Sequence, residues 1–173
     1  SEAYDLCEKN GNKNGMALNM GNIASGFSDM GDTVRALENY EKAYKLDEEL
    51  GNKLGMSRHL GNIGYMYYGM KDYKKAEKYM IEALTLCETE NNHSLLSKWH
   101  GNLHSLYEKT GRYDLALKHF KSSQKYKDSL FSIENAKKNL ETEMNFEFQK
   151  KESAAKEESA RQAIIRNVFI GGF

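Results

Sequence analysis

Proline is absent from all 173 residues, cysteine occurs twice and tryptophan once. A chain of this length without proline does not read as a loop-rich sandwich or a proline-rich linker. Two cysteines make no disulfide framework. No run of eighteen apolar residues occurs, so nothing in the sequence spans a membrane by itself. Charge of one sign is lacking too: 25 Lys and Arg balance 25 Asp and Glu. A nucleic-acid binder needs a basic face to replace the counterions around phosphates, so that class of partner is excluded. Hydrophobic residues are 39% and charged residues 29%, a composition suited to a solvated, elongated helical protein.

Glycine, by contrast, occurs 14 times, and its placement is periodic. Gly21-Asn22-Ile23 recurs as Gly61-Asn62-Ile63 and as Gly101-Asn102-Leu103, each 40 residues on. Gly11-Asn12-Lys13 recurs as Gly51-Asn52-Lys53, and Ala36, Ala76 and Ala116 keep the same offset, as do Tyr40, Met80 and Phe120. Within a unit, Met20, Ile23, Ala24 and Phe27 mark one helix face, and Ala36, Leu37, Tyr40, Ala43 and Tyr44 mark another. Met30-Gly31-Asp32 supplies the turn, since glycine enters the left-handed region that ends a helix and aspartate caps the next one. The spacing predicts helices over 13–30, 33–50, 53–70, 73–90, 93–110 and 113–131.

The motif resembles the tetratricopeptide repeat family. Its middle unit reads Leu60, Ile63, Gly64, Tyr67, Asp72, Tyr73, Ala76, Met80 and Ala83. The third reads His100, Leu103, His104, Tyr107, Gly111, Tyr113, Ala116, Phe120 and Ser123. The resemblance implies an all-α, helical-hairpin solenoid over residues 13–131, divided at 13–52, 53–92 and 93–131. It departs from the family in lacking the repeat-end proline and in a period longer than about 34 residues. Tyr4, Leu6, Gly11 and Asn12 align with Tyr44, Leu46, Gly51 and Asn52, so residues 1–12 are expected to close a truncated preceding repeat. Cys7 and Cys87 fall at equivalent places two repeats apart, beyond the ~7 Å that a bridge allows.

No strand precedes a phosphate-binding glycine loop, and no nucleophile stands beside a base, so no catalytic or cofactor-binding residue is expected and the chain does not read as an enzyme. His100 and His104 are four apart on a helix, but the residues between them lack the glutamate of a zinc-hydrolase motif, and no metal site is expected. The family's first helices line a concave groove that binds peptides. Carried over by position, its groove residues are Asn22, Asn62 and Asn102, with Arg58 and Lys98 beside them, then Tyr65 and farther along Tyr68. An asparagine amide both donates and accepts, so three in a row suit an extended backbone. Arg58 and Lys98 would favour an acidic side chain or a terminal carboxylate.

Beyond Phe131 the repeat stops. Ile133, Ala136, Leu140, Met144 and Phe148 form one apolar stripe, read as a capping helix over 132–148 that covers the last repeat. A charged, helix-favouring spacer follows, and residues 163–173 turn apolar, as the start of a truncated membrane helix would; 149–173 is read as that juncture. Lys127-Asp128-Ser129-Leu130-Phe131, with Glu134-Asn135-Ala136-Lys137-Lys138, resembles the junction of bacterial membrane-bound sensors. Met144-Asn145-Phe146-Glu147-Phe148-Gln149-Lys150-Lys151-Glu152 is more particularly similar to tetratricopeptide-containing adenylate/guanylate cyclases. That resemblance implies the input region of a signal-transduction protein anchored in the bacterial inner membrane after Phe173, with extracytoplasmic repeats and pairing of two copies through the C-terminal helix. The same region of a histidine kinase, or a free-standing scaffold or peptide receptor, is the alternative.

Overall fold

The computed structural model describes residues 2–170, and the side chains of residues 4–166. All seven described elements are helices: α1 (Glu2–Lys9), α2 (Lys13–Asp29), α3 (Thr33–Glu49), α4 (Lys53–Gly69), α5 (Tyr73–Glu90), α6 (His93–Lys109) and α7 (Tyr113–Ile170). First helices begin at residues 13, 53 and 93 and second helices at 33, 73 and 113, so the period is 40 throughout. The starts follow from local chemistry. Asn12, Asp32, Asn52, Asp72 and Asn92 each accept a hydrogen bond from the backbone N–H three residues on. That satisfies a donor the helix itself cannot reach. The stops follow as well: Gly11, Gly31, Gly51 and Gly111 have φ between 64° and 76°, with Lys71 and Asn91 in the same region at the other two turns.

The described residues up to 130 form one compact unit. Its core is built where a small residue lets two helices meet. Ala24, Ala36, Ala43, Ala76 and Ala83 are wholly buried; Tyr40 and Ile63 pack with Ala24 and Ala36, and Met80, Leu96, Trp99, Leu103, Leu106 and Tyr107 pack with Ala76 and Ala83. Gly61 shows how close the approach is: a methyl group added there would enter the Trp99 ring. The Trp99 indole N–H donates to Ser57 Oγ at 3.0 Å, and the Ser57 hydroxyl donates to the Ala83 carbonyl at 2.7 Å. Cys7 and Cys87 are free thiols.

Residues 131–173 form the second unit, of which 131–170 are described. Here the structure departs from expectation, because α7 does not stop where the repeat stops. Between Gly111 and Gly171 there is neither glycine nor proline, and nothing near Phe131 can terminate a helix. Along this helix Ile133, Leu140, Met144 and Phe148 are 56–68% exposed. Lys156 pairs with Glu152 at 2.6 Å. No described helix is long and apolar enough to cross a membrane. Residues 171–173, where the sequence suggests the membrane helix continuing, lie outside the described residues, as does Ser1.

Candidate functional site

Seven polar positions were expected on one groove, and the structure brings six of them onto the exposed sides of α2, α4 and α6. They do not form a straight row. Of the two cavities along these helices the larger, ≈ 400 Å³, is lined by Ser25, Ser28 and Asp29 of α2, Tyr40 of α3, Asn62 and Tyr65 of α4, and Lys98 and Asn102 of α6. In repeat terms the lining slips back by about one helical turn from each first helix to the next, because successive hairpins pack at an angle. A second cavity of ≈ 40 Å³ follows the same slant, from Leu18, Asn22 and Ser25 to Arg58, His59 and Asn62. Asn22 and Arg58 therefore belong to the smaller cavity, and Asn62 belongs to both.

The floor of the trough is held by side chains that fix one another. The Ser25 and Tyr40 hydroxyls lie 2.9 Å apart, and Ser25 Oγ donates to the Gly21 carbonyl at 3.1 Å. Burial pushes the Tyr40 phenol up, so it stays neutral. Lys98 Nζ donates to Asn62 Oδ1 at 3.1 Å and lies 4.7 Å from the centre of the Trp99 ring. Loss of water around its ammonium, then the nearby Arg58 charge, pulls the Lys98 pKa below the usual lysine value. Among the described residues neither Lys98 nor Arg58 has a carboxylate partner. Two neighbouring cations without counter-charges favour an anion.

Tyr68 is the expected groove residue that lines neither cavity. It stacks on Tyr65 with ring centroids 6.3 Å apart, and so braces the tyrosine that does. Ser28, Asp29 and Tyr40 were missed, because the slant of the trough is a property of hairpin packing and not of any one repeat. Asp29 did carry a signal: a carboxylate on the last residue of a helix opposes the helix dipole.

Behind the floor lies a pair that sequence spacing did not announce. His59 Nε2 and Asp47 Oδ2 are 3.0 Å apart, both side chains are buried, and Asn52 Nδ2 donates to the other Asp47 oxygen at 2.8 Å. Burial lowers the His59 pKa against the pull of Asp47. A neutral His59 donates from Nε2, and its Nδ1 is buried without a partner among the described residues. The other histidines go elsewhere. His100 Nδ1 faces His119 Nδ1 at 2.9 Å, whereas His104 Nδ1 faces the Ala116 carbonyl at 3.1 Å, so His100 and His104 do not converge.

Residues 55–128 match the family profile described as the tetratricopeptide repeat. No curated protein matches the chain. Among solved structures, BtubC from P. vanneervenii is similar with a TM-score of 0.64 and 20% identity, over 73% of this chain and 55% of that one. Aspartyl phosphate phosphatase F from Bacillus subtilis is similar at 0.65 and 22%, over 68% of this chain and 31% of that one. The apo form of RapI is similar at 0.64 and 26%, over 68% of this chain and 33% of that one. The chain thus spans between about a third and about half of these structures. What repeats every 40 residues is therefore a helical hairpin of the tetratricopeptide type, and the fold of α2 to α6 with the start of α7 is an all-α solenoid of such hairpins.

Proposed function

We propose that the solenoid is the protein- or peptide-binding input module of a signal-transduction protein, and that it holds an anionic segment in the trough between α2, α4 and α6. The observation that carries this reading is the cationic wall: Lys98 and Arg58 stand beside the amides of Asn62 and Asn102 without carboxylate partners among the described residues. Amides serve an extended backbone, and the two cations select an acidic side chain or a terminal carboxylate. No catalytic role is assigned to the chain.

The output is read from the resemblance of residues 127–152 to membrane-bound sensors and to adenylate/guanylate cyclases. On that reading the repeats are extracytoplasmic in a bacterial inner membrane, an anchor follows Phe173, and two copies pair through the C-terminal helix. The exposed stripe of Ile133, Leu140, Met144 and Phe148 supports pairing, since a stripe uncovered in one chain is free to meet another. The binding half is tested by titrating acidic peptides into the protein and into Arg58→Ala with Lys98→Ala. Weaker binding by the doubly substituted protein, with unchanged melting, is the expected result. Equal affinity would remove the cationic wall from the site. The output half is tested by reading the roughly 40 residues encoded after Phe173, where a run of ~20 apolar residues is expected.

A further inference from the structure

A cavity of ≈ 220 Å³ opens between α3 and α5, with Leu60 and Ile63 of α4 as its floor. At about 3.6 residues per turn these two side chains leave α4 opposite Asn62 and Tyr65, so the cavity is no part of the trough. Both floor residues are buried. Glu41, Tyr44 and Lys45 come from α3, and Tyr79 and Glu82 from α5. The three charged residues are exposed, so the hollow is apolar below, aromatic on both sides and charged at its mouth.

The aromatic walls are held from outside. Tyr67 stacks on Tyr79 with ring centroids 5.5 Å apart and planes 4° from parallel. The Tyr44 hydroxyl donates to Glu48 Oε1 at 3.2 Å. The carboxylates are not held. Among the described residues neither Glu41 nor Glu82 has an ion-pair partner. Lys45 is one turn from Glu41 and Lys78 one turn from Glu82, yet Lys78 Nζ lies 5.7 Å from the centre of the Tyr79 ring. Burial raises the pKa of both lining phenols, and neighbouring acids add to it: Glu48 and Glu82 at Tyr44, and Tyr67, Glu41 and Glu82 at Tyr79.

Packing of the repeats does not call for this set. Where Tyr79 and Glu82 stand, the first unit has Asn39 and Lys42 and the third has His119 and Ser122. Where Glu41 and Tyr44 stand, the second unit has Ile81 and Leu84. The next junction along the solenoid thus has neither a carboxylate nor a tyrosine at these positions.

Size and charge together describe the occupant. A cavity of ≈ 220 Å³ falls below the ~300–1,000 Å³ of sites that enclose a whole small molecule, and suits a single side chain. Protein interfaces are anchored by side chains seated in such pockets, arginine prominent among them. Its planar guanidinium stacks on aromatic rings and its fork of donors meets carboxylates on two sides, while its methylene stem suits an apolar floor.

We propose that this cavity is a socket for an arginine side chain of a partner protein, its stem on Leu60 and Ile63 and its guanidinium between Glu41 and Glu82. The socket is separate from the trough, so its test does not bear on the anionic segment proposed there.

The test is an NMR titration of the 173-residue protein labelled at leucine and isoleucine methyl groups and read at Leu60 and Ile63. Acetyl-arginine-amide is compared with acetyl-citrulline-amide, which keeps the shape without the charge, with acetyl-lysine-amide and with propylguanidinium. The arginine compound should bind about fivefold or more tighter than the citrulline and lysine compounds. Glu41→Gln and Glu82→Gln should each weaken it by about fivefold, and Lys45→Met should strengthen it, with melting temperature followed to show an intact fold. Equal binding of the citrulline compound would reduce the cavity to an apolar hollow and overturn the proposal. Equal binding of the lysine compound, or indifference to both glutamate substitutions, would overturn it too. Tighter binding of propylguanidinium would assign the site to a free cation instead of a partner's side chain. Absence of any methyl shift at about 50 mM acetyl-arginine-amide would leave no socket at all.

Discussion

Met80 of α5 and Leu140 of α7 both sit on helix faces marked by apolar residues three and four apart, yet Met80 is wholly buried and Leu140 is 56% exposed. Periodicity names the face of a helix that wants cover; it does not supply the cover. In the repeats the cover comes from the same sequence 40 residues away, because each hairpin presents its neighbour with a matching face. Residues 131–170 have no such copy. Their apolar stripe stands among charged residues, and their helix rests on propensity and on pairs such as Lys156–Glu152, worth tenths of a kcal/mol each.

The comparison is broken most sharply at Trp99. Its ring fills the space that Gly61 leaves open, and Trp99→Ala should cost about 3–5 kcal/mol in denaturant unfolding followed by circular dichroism. A cost below about 1 kcal/mol would mean that the repeats stack far more loosely than their packing implies.

A smaller effect is expected at Asp47, where the middle repeat carries a carboxylate and the equivalent positions carry Cys7 and Cys87. Asp47→Ala leaves the buried His59 Nε2 without an acceptor, while the exposed Asn52 amide can turn to water, at a cost of about 1–3 kcal/mol. Asp47→Asn keeps the shape and one acceptor, so its unfolding midpoint should lie between those of the parent and Asp47→Ala. If the two variants unfold alike, the hydrogen bonds contribute little and the loss is one of packing.

Acid should weaken the repeats through their histidines. His100 is held down to about 4, first by burial and then by His119 and Lys118, and it also faces the ring of Tyr126. The His59 and His119 pKa values are lowered as well, each chiefly by burial. A histidine with a depressed folded pKa binds more protons when unfolded, so its contribution is complete above about pH 6.5 and is lost as pH falls towards 4. Across that window His100 alone should account for about 2–3 kcal/mol, and His100→Gln should flatten the dependence measured by urea unfolding. An unchanged slope would show that His100 is hydrated in solution.

The helix starts were legible because Asn or Asp caps five of them, and the stops because glycine or asparagine ends most of them. Both are local chemistry. The end of α7 was misplaced for a related reason: a repeat can end where a helix does not, and only a stop residue ends a helix. The groove residues were legible one repeat at a time. Their slanted grouping was not, since it depends on the angle between hairpins. The Asp47–His59 contact joins α3 to α4 across a turn, and twelve residues of spacing carry no mark of it.

The smallest effects are expected where the comparison began. Leu140→Ala and Met144→Ala remove apolar atoms that are already more than half in water, so each should change stability by no more than about 0.5 kcal/mol in dilute protein. The same pair also sharpens the proposed pairing of two copies. A partner that binds only the folded chain stabilises it by mass action, so melting of the parent protein should rise with protein concentration if the stripe is covered by another copy. Leu140→Ala and Met144→Ala should abolish that rise while leaving the dilute melting temperature in place. Should the parent melt at one temperature from micromolar to near-millimolar concentration, the stripe is no dimer seam in the isolated chain, and its exposure then reflects a helix that needs no cover to hold its shape.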